Sequence, residues 1–290
     1  MLSCYFAPIH LQLVHNTKGV SDLSFHTSPA AFVEMIRLGV SDLTHSVQFY
    51  QDVLGFQASV HDNGTADLTA GGRTLVILEE GYTRPSEARE GLFHVAFLLP
   101  DRPSLGAFLT HLVQHRFPVQ GASDHGVSEA IYLQDPDGNG IEVYRDRPAT
   151  EWTWSSGRVH MTTEPLDAEA VAAQARAWNA LPDETIIGHV HLQTSSLPAA
   201  KAFYETAFGM REVTSIGDHA SFLSTASYHH HIALNTWSGP RIQKRQRGET
   251  GLLEMQFSLP GDAAWKSLQS AAPGMTDPLG VKLSATAYSS

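Results

Sequence analysis

Cysteine is almost missing from this sequence: Cys4 is the only one. No disulfide can close within the chain, so packing and polar pairing must hold it together, and a reducing, cytoplasmic setting is expected. Long apolar runs are missing as well. None approaches the length of a bilayer span, so no membrane partner is expected. The first two dozen residues lack a basic start followed by a continuous apolar stretch, which argues against a secretory signal. Residues 1–24 read as poorly specified, within an N-terminal extension over 1–30. Basic residues are scarce: 19 Lys and Arg against 30 Asp and Glu leave a formal net charge of -11. Such a chain repels phosphate backbones, so no nucleic-acid partner is expected. The densest basic run, with Lys244, Arg245 and Arg247, lies between periodic segments and reads as a solvated loop.

What is present is a repeat. The 290 residues are 42% hydrophobic and 17% charged, enough for two compact domains with sizeable cores. Ser41-Asp42-Leu43, Phe49-Tyr50 and Leu54-Gly55-Phe56 recur as Ser195-Ser196-Leu197, Phe203-Tyr204 and Phe208-Gly209-Met210, shifted by 154 positions (from 41 to 195). Gly91-Leu92-Phe93-His94 to Leu99-Pro100 matches Gly251-Leu252-Leu253-Glu254 to Leu259-Pro260, shifted by 160 (from 91 to 251). Each copy therefore has two parts. Each part begins with an apolar strand (Met35–Val40, Phe93–Leu99, His189–Thr194, Leu253–Leu259) and continues into a helix. In the first, Asp42 reads as the N-cap, Val47, Tyr50, Val53 and Leu54 as the apolar stripe, and Gly55 as the C-cap. In the third, Leu197, Ala200, Phe203, Tyr204 and Phe208 form the stripe and Gly209 ends it. Strands separated by Asp62-Asn63-Gly64, Gly71-Gly72 and Asp137-Gly138-Asn139 turns follow. The expected fold is α+β: four tandem βαβββ modules, with the first domain over 31–147, a linker over 148–186 carrying a helix near Ala168–Trp178, and the second domain over 187–290.

The repeated SDL…FY…LGF helix, together with Asp135-Pro136-Asp137-Gly138-Asn139-Gly140-Ile141-Glu142, resembles the glyoxalase/bleomycin-resistance/dioxygenase (vicinal oxygen chelate) superfamily. The whole pattern is similar to its two-domain, catechol-2,3-dioxygenase-like group. The resemblance implies two vicinal-oxygen-chelate domains, whose paired modules curl into cups and whose metal ligands come from first and last strands.

Position by position, the resemblance implies the following. In the second copy His189 opens the ligand set, and His191, two residues on, shares its strand face. His230, in His230-His231-Ile232-Ala233-Leu234, takes the place of the acid-base histidine of extradiol enzymes. Glu254 stands where those enzymes have a histidine. The closing strand has no carboxylate at the expected place, and the fourth module is short. His231 is taken to complete the set with His189 and Glu254, with His191 and His229 as alternatives. In the first copy Met35 occupies the opening position while His94 and Glu142 occupy the next two, an alternative, vestigial set. His191, His229, Phe222 and Trp237 are candidates for holding substrate, with Leu234 and Phe257 as further apolar walls. The Trp152/Trp154 pair reads as packing, and His45, His61, His111, His115 and His160 as solvated.

The activity implied is ring cleavage of a catechol-like diphenol by Fe(II) and O₂, a step in aromatic compound catabolism, with His230 moving the phenol proton. Two other readings stay open. One is a glyoxalase-like lyase or isomerase using Mn, Zn or Ni; the other is a non-catalytic ligand-binding protein. A homodimer is optional, since one chain already holds paired modules.

Overall fold

The computed structural model describes residues 23–271 and 275–288. Cys4 and residues 1–22 of the expected extension lie outside that range. A short 3₁₀ turn at Leu23–His26 leads into four modules. The first is β1 (Phe32–Val40), α1 (Leu43–Asp52), β2 (Gln57–Val60), β3 (Thr65–Ala70) and β4 (Arg73–Glu80). The second is β5 (Arg89–Leu98), α2 (Arg102–His115), β6 (Gly121–Asp124), β7 (Ser128–Gln134) and β8 (Gly140–Asp146). The linker carries three two-residue strands, β9 (Trp154–Ser155), β10 (Arg158–Val159) and β11 (Glu164–Pro165), then α3 (Ala168–Ala172). The third module is β12 (Ile186–Gln193), α4 (Leu197–Phe208), β13 (Arg211–Ile216), β14 (Ala220–Ser224) and β15 (Ile232–Asn235). After β16 (Gln243–Lys244) comes the fourth, which among the described residues is β17 (Gly251–Pro260), α5 (Gly261–Ala271) and β18 (Lys282–Tyr288). The α+β order of modules is as the sequence predicts, and among the described residues the fourth carries one strand after its helix.

The local signals act where expected. Asp42 accepts from His45 N at 2.9 Å, capping α1, and Gly209 closes α4 at φ +66°. Val47, Tyr50, Val53 and Leu54 are all buried. The linker helix ends at Ala172 rather than near Trp178. One turn or so of helix is marginal by itself, and here the chain is pressed on α2, where a Cβ at Gly106 would lie 2.4 Å from Val171 O.

The repeated Phe-Tyr and Asp-Pro signals meet in space. The Tyr50 hydroxyl donates to Asp135 at 3.3 Å, and the Tyr204 hydroxyl donates to Asp277 at 2.6 Å. Each aspartate also folds its own turn: Asp135 accepts from Asn139 N at 2.8 Å, and Asp277 from Val281 N at 2.8 Å. A buried carboxylate needs such donors, so the helix of one module locks the closing turn of the next.

The sheets, by contrast, do not follow the copies. One six-stranded sheet runs β18-β17-β1-β4-β3-β2, joining the first and fourth modules. The other runs β11-β6-β7-β8-β5-β12-β15-β14-β13, with β16 beside β5, joining the second and third. Antiparallel pairing of β1 with β17, and of β5 with β12, makes the two seams. Each cup thus draws its walls from both halves of the chain. No helix among the described residues is long and apolar enough to cross a membrane.

Candidate metal centre

The β5–β12 seam builds the site by register. Ala96 on β5 pairs with Glu142 on β8 to one side and with His189 on β12 to the other. Side chains of the same pleat row share a face, and the small Ala96 side chain leaves room for Glu142 and His189 to lean together over it. His94, two residues before Ala96, falls on the same face. A register shift between Ile187 and His189 makes Gly188 a bulge. A Cβ at Gly188 would lie 1.8 Å from the Tyr144 hydroxyl, so only glycine admits the tyrosine there.

His94 Nε2 lies 3.0 Å from Glu142 Oε2, His189 Nε2 lies 3.3 Å from the same oxygen, and the two Nε2 atoms are 3.4 Å apart. All three residues are buried. Burial alone would raise the Glu142 carboxyl, but His189 and then His94 outweigh it and hold Glu142 well below the usual range. Burial lowers His189 to about 4. At neutral pH the set is an anionic oxygen and a neutral imidazole facing a second imidazole, the protonation a divalent ion requires. The spacing also fits. Three donors about 2.1 Å from one ion and at right angles to each other lie about 3.0 Å apart.

This grouping differs from the expected ones. His189 joins His94 and Glu142, so the set spans both copies instead of belonging to one. Glu254 is in the other cup, where it accepts from Ser284 Oγ at 2.6 Å and Lys282 Nζ at 3.1 Å and lies 3.8 Å from Arg37. Met35, Glu254 and Ser284 occupy there the places of His189, His94 and Glu142, and an ion pair replaces the imidazoles. His231 is also elsewhere: its Nε2 donates to Phe25 O at 2.9 Å, and its Nδ1 faces Ser224 Oγ at 3.3 Å.

The triad opens on a cavity of about 300 Å³ lined by Phe93, Tyr132, His191, Phe222, His230 and Trp237, among others. His191 accepts from Asn235 Nδ2 at 3.0 Å, and Trp237 and Phe93 pack edge-on to it. The linker closes one side through Met161, Thr162 and Thr163. His125 joins that strap to the floor, donating from Nδ1 to Thr162 O at 2.8 Å and accepting from the Tyr132 hydroxyl at 2.7 Å. Leu234 and Phe257 are not walls. Leu234 faces the helix-side core, and Phe257 stacks on Phe208 at 4.1 Å. Trp152 is packing, donating to Val127 O at 3.1 Å. His111 is buried on Trp178 instead of solvated, donating to Asp52 O at 3.0 Å.

His230 stands beside His189, ring centroids 4.1 Å apart, and burial with His189 nearby keeps it well below its usual value. His229 does not line the cavity. It lies behind His230, its Nδ1 2.9 Å from His230 Nδ1 and its Nε2 2.8 Å from Asp146 Oδ1. The Tyr228 hydroxyl donates to the same Asp146 at 3.0 Å and meets the Tyr144 hydroxyl at 2.7 Å. Neither Asp146 nor Tyr132 was among the sequence candidates. The signal for Asp146 was available: it is four residues from Glu142 on one strand, hence on the same face.

His26 is a further buried histidine, donating from Nε2 to Gly188 O at 2.8 Å. Burial pushes it down to about 4. The unfolded chain therefore binds a proton that the folded one refuses between about pH 6.5 and 4, so stability present above pH 6.5 is lost as pH falls. Between pH 7 and 5 this one residue should cost about 2 kcal/mol. Urea unfolding of the metal-free protein at both pH values should show a smaller loss for His26→Gln, whose amide can still donate to Gly188; equal losses would contradict the assignment.

Comparison with known proteins agrees with this architecture. Residues 32–143 and 186–256 match the model of the glyoxalase/bleomycin resistance protein/dioxygenase superfamily. The chain is 44% identical over 224 residues to a catechol-2,3-dioxygenase of Bacillus subtilis, covering 74% of this chain and 78% of that one. A metallothiol transferase FosB of Staphylococcus epidermidis is 29% identical over 114 residues, 39% of this chain and 80% of that protein. Among solved structures, a candidate dioxygenase from Bacillus subtilis superposes with TM-score 0.61 at 14% identity, covering 90% of this chain and 86% of that one. A glyoxalase I mutant from Zea mays gives 0.52 at 15%, covering 91% and 94%. These two likenesses are of fold. With matches in both halves and a relative of this similarity over most of its length, the chain belongs to the glyoxalase/bleomycin resistance protein/dioxygenase superfamily.

Proposed function

We propose that this protein is an extradiol-type, ring-cleaving dioxygenase that uses Fe(II) and O₂ on a catechol-like diphenol. The observation that carries the reading is the buried His94/Glu142/His189 face beside His230. Two imidazoles and one carboxylate on one side of an ion, with the other side open to a cavity, is the donor pattern of non-haem Fe(II) oxygenases. The 44% identity to a catechol-2,3-dioxygenase supports it.

His94, Glu142 and His189 would hold the ion, which when bound would gather both diphenol oxygens and O₂ and pass electron density from ring to oxygen. The chain's own residues do the rest. His230, neutral and buried, takes the proton of one phenol group and later returns it. His191, Phe93, Phe222 and Trp237 orient the ring by apolar and edge contacts. The Met161–Thr163 strap narrows the cavity and limits water. A cavity of about 300 Å³ suits one aromatic ring with small substituents. Both atoms of O₂ end in the ring-opened product, so no further reductant is consumed.

The test is anaerobic reconstitution with Fe(II), followed by catechol and a measured pulse of O₂. One O₂ consumed per catechol, with a yellow ring-fission product, is the expected result; no yellow product at full metal loading would overturn the reading. The glyoxalase-like alternative predicts Zn, Ni or Mn in the purified protein instead of iron, and a non-catalytic binder predicts no stoichiometric metal.

A further inference from the structure

The hydrogen bonds behind His230 fix more than its position. An ionised carboxylate only accepts. His229 Nε2, at 2.8 Å from Asp146 Oδ1, must therefore carry the hydrogen and donate. A neutral imidazole has one such hydrogen, which leaves His229 Nδ1 with a lone pair. His230 Nδ1, at 2.9 Å from it, must then be the donor. That leaves His230 Nε2 bare, on the ring edge away from His229, in a side chain that lines the cavity. The reverse order would need an extra proton, on Asp146 or on His229, whereas an ionised Asp146 and a neutral His229 already satisfy the His229 and Tyr228 contacts.

We propose that Asp146 and His229 are positioning residues that set the tautomer of His230, so that its Nε2 meets the substrate as a lone pair. The use made of that lone pair rests on the ring-cleaving reading; the order of the hydrogen bonds does not. When the phenol O–H bond breaks, its proton goes to His230 Nε2 and the electron pair stays on oxygen. His230 is then an imidazolium whose Nδ1–H bond to His229 tightens. Asp146 steadies the charge through His229 without being protonated. When the proton is returned, the original tautomer is restored. Tyr144 and Tyr228 keep Asp146 aimed, and Tyr144 fits only because residue 188 is glycine.

The experiment is ¹⁵N NMR of the full-length protein with labelled histidine, loaded with diamagnetic Zn(II), with the two signals assigned by His229→Gln and His230→Gln. The parent should show His230 as the Nδ1–H tautomer and His229 as Nε2–H. In Asp146→Asn the His230 signals should shift toward the Nε2–H tautomer. With Fe(II), that variant should lose about 10²-fold in kcat while KM stays within about twofold. His229→Gln offers an amide oxygen to His230 and an amide N–H to Asp146, so it should keep the parent tautomer and lie within about tenfold of parent kcat. His229→Leu should do neither. An Nε2–H tautomer of His230 in the parent, or an unchanged one in Asp146→Asn, overturns the inference. If the parent with Fe(II) never cleaves catechol, the ring-cleaving reading fails, and the spectra still decide the tautomer.

Discussion

Glu142→Gln is expected to empty the metal site and leave less than about 10⁻³ of parental turnover, while Glu254→Gln leaves both close to the parent. The two glutamates are equally plausible on paper, since each lies on an inner strand at a position that the family resemblance gives to a ligand. Their surroundings separate them. Glu142 has two buried imidazole nitrogens at 3.0 and 3.3 Å and no cation beside it. Its amide replacement can still bond to either ring, so the metal-free fold should change by no more than about 1 kcal/mol. What it loses is the anionic oxygen. Losing a residue that only orients a ligand already costs about 10- to 100-fold in metal affinity, so losing the ligand itself costs more. Glu254 instead serves Ser284, Lys282 and Arg37. Its amide should cost stability of about 1 kcal/mol, because the pairs are partly solvated. Metal content by elemental analysis and urea midpoints of both variants check this. Metal lost from Glu254→Gln and kept in Glu142→Gln would move the site to the other cup.

Much of the fold was legible because its signals are local. The Asp42 cap and the Tyr50 and Tyr204 stripes depend on residues within a few positions of each other. The candidate residues are named one by one, His189, His94 and Glu142 by the strand positions that the family resemblance gives to ligands and His230 by its likeness to the extradiol acid-base motif. Their grouping was not legible. Comparing copy with copy groups ligands within each copy, giving His189 with Glu254 and His94 with Glu142. The β5–β12 seam instead joins the second module to the third, and the β1–β17 seam the first to the fourth. Such pairing is decided by apolar faces distant in sequence. Val95 and Phe97 pack with Val190 and Leu192 in one core, and Ile36 and Leu38 with Met255 and Phe257. No short-range pattern records that choice. The same blindness made Glu254 look like a ligand, since its neutralising partners Arg37 and Lys282 come from other strands. Asp146 escapes for a different reason: it belongs to no motif, and only its place on the strand face of Glu142, two pleats further along β8, marks it. Phe25 and His26 were lost in the extension, although Phe25 stacks on Trp152 at 5.2 Å and His26 reaches Gly188.

His230→Gln is expected to bind iron as the parent does and to lose about 10²- to 10⁴-fold in kcat. This separates the proton's route from the metal's seat. His230 is not one of the three converging donors, since the triad is closed by His94, Glu142 and His189. Its ring is packed against His189 at 4.1 Å and Phe222 at 5.1 Å, so the replacement must fill similar space. Glutamine does so and can donate to His229 Nδ1, which keeps Asp146 and His229 satisfied and the core closed. An amide accepts a hydrogen bond at neutral pH but does not take up the proton. Diphenol should therefore still enter and KM should move little, while the step that needs the phenol deprotonated slows. Iron content, KM and kcat measured together decide the point. A variant that has lost its iron would make His230 a ligand, and one with iron and full kcat would mean that the phenol proton leaves by another group of the cavity wall, His191 or the Tyr132 hydroxyl, 2.7 Å from His125 Nε2, being the candidates.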